Sequence, residues 1–446
     1  MTPQTTPSTT PDTPARTAAE QETSSPDSME RAARGRFSRL PQLAGRSFIP
    51  LGLFARLPLA MLAMGTLTLV TSVTGSFAAG GAAAGAVGIG SALGAPVLGA
   101  LADRRGQRPV LLLSALLNTV AVLALVFIAN TTSEAGDFPP AVLVAAFAAG
   151  ATCPQVGPLA RVRWMALTTN AAGPSAPSGG AARELDTALS YESTADELTF
   201  VLGPALVGSL ASLVAPWLPL ALAAAMTITL VPAFAVHPTH GAVPATGRPV
   251  RRKSTGRAQP VKLPWVVALP VLAMVCMGTF FGSTQAALSA FSAGLAGTEI
   301  AGLLYAVMGL SSAVAAFSVA YWPRRAGLAL RWVLCAALMA GLAVLLLLPA
   351  SLPMMAAVLL VLGLPVGPVM VTVFAVGGQV APAGRLGTVM TALASGIVAG
   401  TAIGSSIGGQ LAQLHGPAAA FLVPVCAAAA LALLGAGAAV VLRRRT

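Results

Sequence analysis

The chain is expected to be an all-α integral membrane protein, with twelve transmembrane helices in two pseudo-symmetric six-helix bundles. Three observations predict this. Only 9% of the 446 residues are charged and 56% are hydrophobic, whereas a soluble domain carries about 25% charged residues. The apolar residues form runs of about 20, the length that crosses a bilayer. The basic residues fall between alternate runs, so they collect on one side.

In order, the chain opens with a tail, 1–46, rich in Thr, Pro, Ser, Ala and charge. It has too little apolar surface to offset its ordering entropy, so disorder is expected. It shows no apolar signal core or A-x-A cleavage site. The first bundle, 47–236, holds spans at 57–76, 80–102, 109–129, 140–160, 189–214 and 216–236. A basic linker, 237–262, contains the run ArgProValArgArgLys. The second bundle, 263–442, holds spans at 264–290, 300–321, 328–348, 352–376, 386–414 and 417–442, and a short tail, 443–446, follows. With both termini inside, all 26 Lys and Arg are assigned to the inner side, and the outer loops carry only Glu134, Asp137 and Glu299. Eleven or thirteen spans would break this alternation. The expected place is therefore the bacterial inner membrane, multi-pass, with cytoplasmic termini; the Ala, Gly, Pro and Arg content suggests a GC-rich bacterial genome.

The net charge of +12 would point to nucleic acid in a soluble protein. Here the basic clusters flank apolar runs, so the lipid surface is the expected partner and nucleic acid is not. Cys153, Cys276, Cys335 and Cys426 are scattered in apolar segments without a C-x-x-C pair, so no metal site or disulfide framework is expected. The three histidines lie in loops, and no Ser–His–Asp order, P-loop or H-E-x-x-H occurs. No enzyme activity, catalytic residue or cofactor is expected, and any pumping must use an ion gradient.

The second span ends in a charged turn: Gly99, Leu101, Ala102, Asp103, Arg104, Gly106, Arg108 and Leu111 fit G-x-L-A-D-R-x-G-x-R-x-x-L. In this the chain resembles the major facilitator superfamily of transporters. The resemblance implies two six-helix halves rocking around a midplane site. Weak internal similarity agrees: Ser91, Arg104 and Arg105 align with Ser311, Arg324 and Arg325, and Gly203, Gly208, Leu210 and Ala211 with Gly404, Gly409, Leu411 and Ala412. The second half lacks the motif's Asp, having Tyr321-Trp322-Pro323 before its arginines. The resemblance also places Asp103 near the start of the eleventh span, 384–388, where a helix N-terminus favours a carboxylate by about 0.3–1 kcal/mol. Arg161 or Arg163 would complete a charge cluster there, latching the outward-open state.

Glycines mark close packing, since helices in lipid lack a hydrophobic drive to associate. Gly81, Gly85, Gly90 and Gly94 lie in the second span and Gly396, Gly400, Gly404 and Gly408 in the eleventh. These are read either as static packing faces or as the meeting of the two spans between the halves. In the fifth span, Gly203, Pro204 and Gly208 fit the exporter signature g-x-x-x-G-P-x-x-G-G, while Thr199 and Val207 depart from it. The exporters' fourth-span signature keeps Leu143 and Gly150, but Ala146 and Ala149 replace its Arg and Gln.

Glu192, Asp196 and Glu197 interrupt the fifth span. A carboxylate at the bilayer centre costs roughly 2.5–3.5 kcal/mol. Either they form a proton site, with Asp196 the first choice, or they sit at the inner helix end paired with Arg161, Arg163 and Arg183. Substrate-cavity candidates are Asn118, Gln155, Phe280, Phe281, Thr284, Gln285, Tyr305 and Met308, each with packing as its simpler role; Gln155 stands where Pro154 and Gly157 loosen the fourth span. The cavity is expected to be modestly polar and to lack buried Lys or Arg. The expected activity is secondary active export of a small amphipathic drug or metabolite in exchange for protons, by a monomer. The alternatives are an importer or uniporter of a neutral solute such as a sugar, and a non-transporting sensor or scaffold.

Overall fold

A computed structural model describes residues 37–74, 77–131, 140–172, 178–243, 265–295, 300–322 and 327–443. Residues 1–36 of the expected tail, 244–262 of the expected linker, and Glu134, Asp137 and Glu299 lie outside these residues. Among the described residues the regular structure is helical: α1 (Leu40–Ala44), α2 (Phe48–Thr74), α3 (Phe77–Arg105), α4 (Gln107–Thr131), α5 (Pro140–Ala151), α6 (Val156–Ala172), α7 (Ser178–Leu213) and α8 (Leu218–Val236) form the first half. The second half holds α9 (Ala268–Ala293), α10 (Ile300–Ser318), α11 (Leu328–Ala343), α12 (Leu352–Val380), α13 (Leu386–His415) and α14 (Pro417–Arg443).

Eleven helical segments are long and apolar enough to span a membrane, counting α5 and α6 as one broken span. The twelfth is α7. Its 36 residues extend about 54 Å at 1.5 Å per residue, but its acids and Arg183 interrupt the apolar run. Lipid explains the outer surface: Leu113, Leu116, Val120, Leu123 and Phe127 of α4 are exposed on one face. Pro58, Pro96, Pro204, Pro232, Pro365, Pro368 and Pro424 lie inside helices, as neighbouring helices allow in membranes.

Several sequence boundaries shift. The first span begins at Phe48, because the apolar run continues through Arg56, and α7 begins at Ser178, because polar residues extend that helix beyond the apolar run. The fourth breaks between Ala151 and Val156, where Pro154 lacks an N–H and Gln155 Nε2 donates instead to Cys153 O at 2.9 Å. Four arginines counted with the loops and tail, Arg56, Arg161, Arg163 and Arg331, are buried in helices. The loop motif makes a tight turn at Gly106, whose φ of 90° suits glycine.

The glycine stripe of α13 faces its own half. A Cβ at Gly396, Gly400, Gly404 or Gly408 would collide with α9 at Val271–Ser283, and Gly278 and Gly282 of α9 reciprocate against Ile397–Ser405. Gly90 and Gly94 likewise press α3 onto Phe147 and Ala151 of α5, and Gly203 sets α7 on Ala60 of α2. The reading of these stripes as an inter-half face is therefore corrected: Gly90, Gly94 and the α13 glycines weld helices within a half. The approach of α3 to α13 is carried instead by Gly99, against Gly387 and Thr391.

Candidate functional site

The helix ends on the side of Phe37 and Arg443, the first and last described residues, form one side of the molecule, the terminal side. There the halves meet. Asp103, at the end of α3, accepts hydrogen bonds from Gly387 N at 2.9 Å, Thr388 N at 2.7 Å and Thr388 Oγ1 at 2.6 Å. These are the free N–H groups of the first turn of α13, which carry partial positive charge. Arg104, Arg105 and Arg108 are exposed around Gly106. On the opposite side, a Cβ at Gly81, Gly85 or Gly88 of α3 would find no atom of the described residues within 4 Å.

The interior of the seam is charged. Arg56 Nη2 donates to Glu192 Oε2 at 2.5 Å and Nη1 to Asp196 Oδ1 at 2.8 Å. Arg161 Nη2 donates to Asp196 Oδ2 at 2.7 Å, and Trp164 Nε1 to Glu192 Oε1 at 2.8 Å. Two guanidinium groups thus face two carboxylates, all within helices, and such pairing is what makes buried charge tolerable. Gly157 brings α6 close: a Cβ there would lie 3.2 Å from Asp196 Oδ1. Arg161 also stacks on Phe374 of α12, its Cζ 3.9 Å from the ring centroid, a cation–π contact between the halves.

Glu197 points the other way. Its Oε1 accepts from Ser312 Oγ of α10 at 3.1 Å, and Thr194 Oγ1 donates to Ala313 O at 3.1 Å. The acids lie 14 to 19 residues into α7, from its start at Ser178, so they lie in the body of the helix and not at its end. Asp196 is clamped between two arginines, while Glu197 is the acid that reaches the second half.

Two cavities line the seam. A vestibule of about 880 Å³ on the terminal side is bordered by Asp103, Met165, Asn170, Asp186, Arg331 and Gln379. A cavity of about 60 Å³ lies deeper, bordered by Arg56, Gln155, Arg161, Asp196, Thr199 and Ser395. Along α6, α12 and α13 the two are separated by an apolar layer, in which Val162 and Met165 of the first half are buried with Val371, Phe374, Met390 and Leu393 of the second.

The sequence candidates disperse. Gln155 borders the deeper cavity. Asn118 does not: its Nδ2 donates to Ala149 O at 2.6 Å, tying α4 to α5. Phe280, Phe281 and Met308 are buried in the second-half core, with Tyr305 packed against it; Thr284 is buried and Gln285 exposed. None of these seven borders either cavity. Arg163 does not join Asp103 as expected: it donates to Gln107 Oε1, Phe234 O and Thr239 Oγ1. Arg161 turns inward to Asp196. A Cβ at Gly208 would meet nothing within 4 Å, and Pro204 lies mid-helix. Sequence reasoning missed Arg56, Ser312, Phe374 and Ser395. Arg56 was legible as a lone charge inside an apolar run; the three from the second half carry no such signal. The expected absence of buried arginine is also corrected, since Arg56 and Arg161 line the deeper cavity.

Residues 49–395 match the family model described as Major Facilitator Superfamily. No curated protein matches the chain by sequence. Among solved structures, the human organic anion transporter MFSD10 (TETRAN) superposes with a TM-score of 0.63 at 19% identity, covering 87% of this chain and 99% of that one. A bacterial homologue of the iron transporter ferroportin, in an outward-facing state with soaked iron, gives 0.63 at 15% identity, with 88% and 98% covered. The fucose:proton symporter FucP of E. coli gives 0.59 at 14%, with 88% and 99% covered. At such identities the likeness concerns the fold.

Proposed function

From a chain that belongs to the Major Facilitator Superfamily, and is therefore a secondary transporter and not an enzyme, we propose an exporter of a small amphipathic molecule that exchanges it for protons. The observation that carries this reading is Glu197, an acid inside a spanning helix, bonded across the seam to Ser312. Glu192 and Asp196 balance Arg56 and Arg161, so Glu197 is the group whose charge can change without orphaning an arginine. A proton on Glu197 alters the bond that joins the halves, which is the link antiport requires. This replaces Asp196 as the coupling residue.

The terminal side is read as cytoplasmic, because Arg39, Arg46, Arg104, Arg105, Arg108 and Arg183 are exposed there. On that reading the Asp103–α13 contact and the apolar layer close the cytoplasmic path. Asp103 acts as the latch of the outward-open state, and Gly99, Arg104, Gly106 and Arg108 shape its turn. The basic linker and N-terminal tail stay in the cytoplasm of a bacterial cell. One chain forms the whole path, so a monomer suffices. Export is supported by Gly203, Pro204 and Gly208, the partial exporter signature.

The test is transport in proteoliposomes, with labelled amphipathic compounds and a pH gradient of either sign. Movement opposite to the proton flux supports the reading. Movement with the protons would favour a symporter, and movement insensitive to pH would favour a uniporter; either overturns antiport.

A further inference from the structure

The deeper cavity carries more information than its place between the halves. Among the described residues, two of its polar atoms are buried without a hydrogen-bond partner: Arg161 Nε from α6 and Ser395 Oγ from α13. Arg161 is 1% exposed and Ser395 7%. Nearly all buried polar groups are paired, and each exception calls for a cause. Here the two unpaired atoms border one space and come from opposite halves.

Arg161 Nε can only donate, and a serine hydroxyl can donate or accept. A group that satisfies both must offer an acceptor, and one oxygen with two lone pairs can serve both. The charge of that group is constrained as well. The two guanidinium groups bordering the cavity are already matched by Glu192 and Asp196. An anion placed at Arg161 Nε would add to the carboxylates already on those arginines. A cation would meet Arg56 and Arg161 and offer nothing to the Nε donor. The remaining border is apolar, from Leu59, Ala60, Phe200, Phe374 and Ile397.

We propose that the transported molecule is electrically neutral and carries a hydroxyl or carbonyl oxygen on an apolar body, this oxygen accepting from Arg161 Nε and from Ser395 Oγ. The oxygen then bonds one helix from each half. At about 60 Å³ the cavity has room for this head group and a few more atoms; the apolar body extends along Phe200 and Phe374. The inference rests on the reading of the seam as the transport path.

Three probes share one apolar body and differ in the head group: 3-phenyl-1-propanol, 3-phenylpropionate and 3-phenylpropylamine. Each is titrated against the full chain in lipid nanodiscs, with thermal unfolding as the readout. The alcohol should stabilise the protein, with the carboxylate and the amine at least about tenfold weaker. Arg161→Lys keeps the cation beside Asp196 but removes Nε, and Ser395→Ala removes the hydroxyl. Each should weaken the alcohol at least about fivefold, read as the shift that the probe adds to that variant's own unfolding temperature. Equal binding of a charged probe, indifference to both substitutions, or no binding by any probe would overturn the inference. The transport-path reading is scored separately, by the reactivity of Gly85→Cys and Thr169→Cys with a bulky maleimide on opposite membrane faces. If their accessibilities never change in opposite senses under a pH gradient, that reading fails, whatever the probes do.

Discussion

Glu197 of α7 and Ser312 of α10 are joined across the seam, Ser312 Oγ donating to Glu197 Oε1 at 3.1 Å. One residue earlier on α7, Asp196 is held by both Arg56 and Arg161 within its own half. The adjacent acids therefore have different partners and different work. Glu197→Gln is expected to reduce transport driven by a pH gradient at least about tenfold, while exchange of labelled for unlabelled substrate without a gradient stays within about twofold. Gradient-driven transport at the wild-type rate would remove Glu197 from coupling.

Asp103 sits on the first N–H groups of α13. Asp103→Asn keeps the shape but removes the charge and turns one oxygen into a donor facing donors. Transport should fall several-fold, with the amount of protein inserted in the membrane unchanged. Unimpaired transport by the variant, with insertion checked by quantitative blotting, would show that the contact does not govern the cycle.

The arginine–carboxylate group is expected to be costly to break and cheaper to remove whole. Arg56→Met leaves Glu192 without its buried cation, a loss of about 3–5 kcal/mol for such pairs. Arg56→Met combined with Glu192→Leu should recover part of this loss. Denaturant unfolding in detergent measures both, and an additive double variant would contradict the pairing as the source of the cost.

The glycines divide by what faces them. Gly400 and Gly404 oppose the α9 backbone, whereas Gly81 and Gly85 oppose nothing among the described residues within 4 Å. Gly404→Val should lower thermal stability strongly, because neither helix backbone can yield. Gly85→Ala should leave it within about 0.5 kcal/mol, as for a substitution that meets no neighbour. Similar melting curves for the two variants would contradict the packing described.

His237 clasps the entrance of the linker to the start of the first span. Its Nε2 lies 3.1 Å from Ser47 Oγ, and its Nδ1 accepts from Thr239 N at 3.4 Å. Burial first, then the charges of Arg163 and His240, lower its pKa below the ordinary histidine value. The folded state thus favours the neutral ring. The stability it contributes is complete above pH about 6.5 and is lost as pH falls through the lower folded value. The melting temperature of the wild type should drop more between pH 7.5 and 5.5 than that of His237→Gln, and equal drops would rule the clasp out.

Hydropathy made eleven of the spans legible, and the loop motif made the meeting of Asp103 with α13 legible. The wiring inside the seam was less so. A run such as Arg161-Val162-Arg163 carries two like residues, yet α6 turns one toward Asp196 and the other toward Gln107 and Phe234, and only the packed helices separate them. The partners of a glycine stripe are hidden for the same reason: Gly396 to Gly408 announce a close neighbour without saying which. Ser312 and Ser395 are ordinary small residues until α7 and α6 stand opposite them.

The stacking of Arg161 on Phe374 has a mechanical consequence. A carbonyl offers its donor one oxygen at one distance, so a small rotation breaks the bond. A ring face offers a broad attractive surface, and a guanidinium plane can swivel over it while staying attracted. At this point the halves are coupled by a bearing and not by a bolt: attraction persists while one half turns, and the restoring force stays small over the first few degrees.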